Sequence, residues 1–317
     1  MPGSRRLWVL FVFATLVLAK VVDAAEPVNA PVAQIVATVS PKAGFYSMQA
    51  DGKNWQRFFQ MPQISAVGSP QFSRDGKYIA FDGWMADSGE GTSDSRLFVI
   101  STERDELWLL GSGSMPSWGA DNTKLACSFY SGGVGIMTIA TQEIVTIDRN
   151  GWGTQWSPDG KLIAYAVGTE LKVYDLAAKS ARTIFNAEGQ YTSLGWNGCW
   201  SPDSKRFLFL GTTADNKKDI VSVAVSGADA DLKKHLEKDS LSAKFAWHPT
   251  EPRIVFGKYS NEHKRSQLFE INLEAGGAPK RIEGQDPALD VMAPAWSPDG
   301  KRLLCVGRNK VEAAAKP

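Results

Sequence analysis

The chain has little of what chemistry usually needs. It holds 3 His and 3 Cys in 317 residues. His235, His248 and His263 are scattered, and none forms a His-x-x-x-His pair or joins a near carboxylate in a known ligand pattern. No Gly-x-Ser-x-Gly elbow is present, which removes the usual hydrolase signature, and Ser131 in Tyr130-Ser131-Gly132-Gly133 reads as a turn residue. No Walker or dinucleotide loop precedes a helix, so no phosphate cradle or nucleotide cofactor is expected. Charge of one sign is also missing. The formal net charge is +1, which argues against a nucleic acid or an anionic membrane as partner. Only one long apolar run occurs, Leu7 to Leu18, and it is short for a spanning helix, which needs about 20 residues.

That run belongs to a targeting segment. Arg5 and Arg6 supply a positive start, and Val22-Asp23-Ala24 a small-residue cleavage site before Ala25. Residues 1–24 therefore read as a signal peptide, and the mature chain as a soluble periplasmic or extracellular protein, expected to be a monomer. No Cys follows the run, which excludes a lipoprotein anchor of the bacterial kind. Residues 25–43 read as a loose tail, in which Gln34 to Ala37 could extend a sheet edge.

What the chain does have is a repeated phrase. Trp156-Ser157-Pro158-Asp159-Gly160-Lys161 leads into Leu162-Ile163-Ala164-Tyr165. The phrase returns at Trp296, at Trp200 and, with Phe for Trp, at Phe72; longer, more worn copies start at Trp118 and Trp247. Pro presets φ and cannot continue a ladder, Asp bonds its own backbone, and Gly accepts φ > 0. Each copy is thus strand, tight turn, buried strand. The repeated Asp is turn chemistry rather than a catalytic set. A spacing of roughly 40–50 residues with four strands per repeat indicates a propeller blade.

Six anchors predict six blades over residues 44–307, with 308–317 as a disordered tail. Gly44 to Met48 and Trp55 to Phe59 form two strands ahead of the first anchor, and the other end supplies only two, the strand of the last anchor and Leu303 to Gly307. Paired, they make one composite sheet that closes the ring. The fold class is all-β, with four-stranded antiparallel blades. One blade-4 segment, Asp229 to Leu241, reads either as an outer strand or as a helical insertion. Cys127 and Cys305 fall at equivalent places two blades apart, too far for a bridge. With Cys199 they read as small buried hydrophobes.

The Trp-Ser-Pro-Asp-Gly-Lys phrase resembles the WD-like repeat of TolB-family propellers, and Phe45 to Gly52 is similar to that family's outer-strand phrase. The resemblance implies a repeat architecture more than a biochemistry, because blades of this kind also occur in peptidase propellers and secreted lyases. It implies a separate α/β domain ahead of the propeller as well, for which residues 25–43 give no room.

Long irregular loops at 82–95, 186–195, 212–218, 258–266 and 283–292 are expected on one face, opposite the Asp-Gly turns. Loops on a rigid scaffold carry function. Trp84, Trp152, Tyr191 and Tyr259, with His263 and Arg265, are the candidate ligand-binding residues, since exposed aromatics and Arg suit a binding surface. Asp82, Asp87, Glu90 and Asp94 give an oxygen-rich loop of the type that calcium prefers, without EF-hand spacing. The expectation is a non-catalytic scaffold that takes no cofactor and binds an envelope or extracellular protein, or a glycan. The alternative is a secreted polysaccharide lyase or hydrolase working through His and channel-mouth carboxylates such as Asp82 and Asp290.

Overall fold

The structure is a computed structural model; it describes residues 43–195, 197–226, 231–239 and 241–309. The leader, both tails and Gln34 to Ala37 lie outside the described residues, apart from Ala43, Arg308 and Asn309. Six antiparallel sheets follow one another around a ring. Blade 1 runs from Ile64–Phe72, its inner strand, through Tyr78–Met85 and Arg96–Ser101 to Leu107–Ser112. Blades 2, 3 and 5 repeat the plan from inner strands Ser114–Trp118, Trp152–Trp156 and Leu241–Trp247. In blade 4 the inner strand is split into Ser193–Leu194 and Cys199–Trp200. The ambiguous blade-4 segment is a strand, Lys233–Asp239, paired with Lys218–Ala224. The outer edge of that strand would otherwise leave backbone N–H and C=O groups unpaired, and a fourth strand takes them up.

Blade 6 is composite, in the order Gln56–Phe59, Ala43–Gln49, Arg302–Asn309, Leu289–Trp296. The N-terminal strand pairs with the C-terminal one from Ala43↔Arg308 to Gln49↔Arg302 without a slip. The seam is also packed. Phe45 meets Phe81 of blade 1 edge-on at 5.0 Å, Phe59 lies 5.7 Å from the same ring, and Phe81 stacks on Phe98 at 5.1 Å. These rings, Leu304 and Val306 form one buried cluster across the closure, so the two chain ends are held by hydrophobic burial as well as by the ladder.

The turn phrase has one geometry. In blades 1, 3, 4 and 6 the Ser hydroxyl donates to the Asp carboxylate at 2.6 Å: Ser73–Asp75, Ser157–Asp159, Ser201–Asp203 and Ser297–Asp299. The same hydroxyl accepts the N–H that opens the next strand, at 2.9–3.0 Å. The Asp also accepts the N–H of the Lys two residues on, at 3.1 Å. The polar atoms of the phrase are thus consumed in closing the turn. Cys127 and Cys305 are buried and unpaired, and Cys199 is half-buried. Burial pushes the Cys199 thiol up to about 12, so it stays protonated.

Candidate functional site

Every blade brings its inner strand to the axis, and in four blades that strand bulges three residues before the anchor aromatic. Ser69, Met115, Gly153 and Ala293 have φ of 42°, 54°, 77° and 51°, each inside a register shift of its inner pair. Three of the four are not glycine, and such backbone persists only where its surroundings enforce it. The equivalent positions in blades 4 and 5 are Asn197 and Lys244, which face each other in a bridge. Below this ring the channel widens into a cavity of about 380 Å³ that opens among the Asp-Gly turns. Its wall carries prolines from all six blades: Pro70, Pro116 and Pro294 just after the bulges, and Pro158, Pro202, Pro249 and Pro298 in the turns.

The bulges are held from behind. In blade 2 the buried Ser128 hydroxyl accepts the Gly153 N–H at 2.8 Å. In blade 1 the same task falls to a carboxylate: Asp82 Oδ2 accepts the Met115 N–H at 2.9 Å and the Ser69 hydroxyl at 3.0 Å. Asp82 is 3% exposed, and its Oδ1 has no hydrogen-bond partner among the described residues. A hydroxyl suffices in blade 2, so the carboxylate in blade 1 needs another reason. That reason is Lys244. From blade 5 its Nζ crosses in front of blade 6 and donates to Ser69 Oγ at 2.5 Å. Gly68 leaves the remaining space, since a Cβ there would sit 2.5 Å from Asp82 Oδ1 and 3.6 Å from Lys244 Nζ. Burial lowers the Lys244 pKa, and the Asp82 charge opposes that shift.

Arg74 is the second cation on this cavity. It occupies the place where blades 3, 4 and 6 have Pro after Ser. One of its terminal nitrogens donates to the carbonyls of Trp118, Trp156 and Ser157 at 3.3, 3.2 and 3.1 Å. The guanidinium therefore spans blades 1, 2 and 3. Its Nε is buried without a hydrogen-bond partner among the described residues. Desolvation lowers its pKa and the Asp159 charge opposes this.

Tyr259, His263 and Arg265 share the hairpin of Arg253–Ser260 and Arg265–Asn272, while Trp84, Trp152 and Tyr191 come from blades 1, 3 and 4. Trp84 donates from Nε1 to the Gly91 carbonyl at 2.8 Å and so ties its own loop. Trp152 is half-buried at the start of the blade-3 inner strand. Tyr191 is 6% exposed; its hydroxyl donates to Asp219 at 3.1 Å, and Gly211 leaves room for its ring. Tyr259 is exposed, while the His263 backbone N–H donates to Ser260 Oγ at 3.3 Å. Arg265 Nε donates to the Ala288 carbonyl at 3.3 Å, and Asp290 accepts the Ser266 N–H at 2.8 Å. Asp82 points to the axis, away from the exposed Asp87 and Glu90. Among the described residues no group of three or more His, Cys, Asp and Glu is arranged to hold a metal ion. Sequence reasoning missed Ser69, Arg74, Asn197 and Lys244. The available signals were the Arg in place of the turn Pro, and a Lys at an inner-strand position held elsewhere by Ser, Met, Gly, Asn or Ala.

No family model matches the chain, and no curated protein matches it. Solved structures do. The putative TolB from Agrobacterium tumefaciens has a TM-score of 0.67 at 17% identity, over 86% of this chain and all (100%) of that one. TolB from Acinetobacter baumannii has 0.57 at 13%, over 84% of this chain and 63% of that one. An oligogalacturonate lyase in complex with manganese has 0.51 at 13%, over 85% and 97%. At these identities the likeness concerns the fold, and the fold is the six-bladed propeller seen in TolB-type proteins.

Proposed function

We propose that this chain is an exported, non-catalytic binding scaffold that holds part of a partner protein in the axial funnel on the turn face. One observation carries the reading: all six blades contribute to a single concave, mainly apolar wall with a few polar groups at its inner end, the usual make-up of a ligand site. Export rests on the Arg5–Arg6 start and the apolar run after it. The loop face, with Trp84, Tyr259, His263 and Arg265, is a second contact surface for the same partner.

The experiment is crosslinked capture from native envelope, with mass spectrometry of the captured species. Pro158→Glu with Pro202→Glu places charge on the funnel rim and should remove most of the captured partner. Trp84→Ala with Arg265→Ala should reduce it less, with melting nearly unchanged in both. Equal capture by all three proteins would reject the funnel. Turnover of oligogalacturonate by the pure protein would reject the non-catalytic reading in favour of a lyase. Mass spectrometry of the secreted chain should find Ala25 at its start; an intact leader would count against export by cleavage.

A further inference from the structure

We infer that the inner end of the funnel is a carboxylate subsite, in which Lys244 and Asn197 receive the acidic end of a peptide segment, while Arg74 adds positive charge nearer the rim. The inference rests on the funnel being the binding site. Lys244 and Arg74 are the cations that line the cavity. Lys244 spends one donor on Ser69, and Ser69 is its hydrogen-bond partner among the described residues. An ammonium has three donors, so two remain for a ligand. Asn197 stands beside it across the blade 4–5 bridge and lines the same cavity. Arg74 is held in place by three carbonyls on one nitrogen and so presents a fixed positive charge on the same cavity. Asp82 balances Lys244 at a distance, through Ser69, from the side away from the cavity. It keeps the lysine in position without occupying the site, which suits a pre-organised charge.

The wall selects the rest of the ligand. Prolines have no N–H, and of the Trp anchors on the wall Trp156, Trp200 and Trp296 are 6–8% exposed, which leaves only the half-buried Trp247 with ring face to offer. A sugar would leave its hydroxyls unpaired there, whereas apolar peptide side chains would not. A volume of about 380 Å³ admits a chain end or a single loop tip and no folded unit. The occupant is an extended peptide with apolar residues followed by a carboxylate.

The test is equilibrium binding of two probes to the full chain: N-acetyl-Phe-Pro-Asp with a free carboxyl end, and N-acetyl-Phe-Pro-Asn-amide. The acidic probe should bind at least tenfold tighter. Lys244→Met combined with Asp82→Asn removes both charges together, so no buried carboxylate is stranded; it should erase the tenfold preference. Arg74→Gln should reduce it. Equal binding of the two probes would overturn the subsite and leave the scaffold reading standing. Failure of both probes while envelope capture persists would do the same. Tighter binding of oligogalacturonate, or equal displacement by inorganic phosphate, would overturn the assignment to a peptide carboxylate. Loss of envelope capture in the rim variants, on the other hand, bears on the scaffold reading alone.

Discussion

The turns of blades 3, 4 and 6 and the turn of blade 1 share a hydrogen-bond pattern but differ at one residue. Pro158, Pro202 and Pro298 stand where blade 1 has Arg74. The proline turns meet a neighbour through single contacts at most, as where the Asp159 N–H donates to Ser204 Oγ at 3.0 Å. Arg74 reaches over to carbonyls of two neighbouring blades. The same contrast holds deeper in the channel, where blade 2 uses Ser128 to hold a bulge and blade 1 uses Asp82. A repeat protein solves its folding problem once and copies the solution. The departures that cluster in space are therefore where the chain has been shaped for something else, and here they cluster on the axis.

The largest effect should come from breaking the ring itself, on which both kinds of position depend. A chain starting at Gln60 lacks the two strands that cover Phe81 and pair with Arg302–Asn309. It should lose its cooperative melting transition, and a peptide of residues 43–59 added in trans should restore part of it. A truncated chain that melts like the full one would show that the closure adds little.

Next comes Asp82→Ala. It strands the Met115 N–H and the Ser69 hydroxyl and leaves Lys244 without its balancing charge. Removal of one partner from a buried charge pair costs about 3–5 kcal/mol, and the intervening serine places this case near the lower end. Chemical denaturation should also show that Lys244→Met added to Asp82→Ala recovers part of the loss, because the two sites are coupled. Strict additivity would mean that the lysine and the carboxylate do not feel one another through Ser69. On the regular side of the comparison, Ser157→Ala removes two bonds of a proline turn. It should cost about 1–2 kcal/mol, with no change in peptide binding.

The regular side was the legible side. Turn chemistry and strand alternation are local, so Trp156 to Tyr165 declares a strand, a turn and a strand without any knowledge of the ring, and repetition then gives the blades. Closure was legible as well, because two unpaired strands at each end demand one another. The channel was not. Lys244 meets Ser69 only because blades 5 and 1 curve towards a common axis, a relation with no local trace. Asp82 was grouped with Asp87, Glu90 and Asp94 by proximity in sequence, and only the alternative reading set it at the channel mouth. Its strand, Tyr78–Met85, runs further than that grouping allowed, and this places its side chain under the blade-1 bulge. Tyr191 sits in a long loop in sequence, yet Gly211 opposite it opens the space in which its ring is buried.

Blade 5 offers the finest test of the contrast, because there the turn serine is replaced by His248. The ring does the work of the hydroxyl. Its Nδ1 accepts the N–H groups of Thr250 and Glu251 at 3.3 and 3.0 Å, and Nε2 faces the Gly300 carbonyl at 3.2 Å. It also packs edge-on against Trp296 at 4.7 Å. With Nδ1 an acceptor, the imidazole must be neutral, and burial lowers its pKa against the pull of Gly300 and Glu251. A folded pKa below the unfolded value of about 6.5 means that the unfolded chain takes up the proton first. The stability this group adds is present above about pH 6.5 and is lost as pH falls towards the folded pKa. His235, lowered by burial and by Arg206 and Lys233, contributes in the same direction. Carboxylates titrate mainly below about pH 5, so urea midpoints at pH 7.5 and pH 5 isolate the histidines. His248→Ser restores the residue found in the proline turns and should make that drop shallower, by at most about 1.4 kcal/mol per pH unit, while the His235 share remains. An unchanged drop would mean that the His248 imidazole titrates alike in the folded and the unfolded chain, and that burial in the blade-5 turn does not hold it neutral.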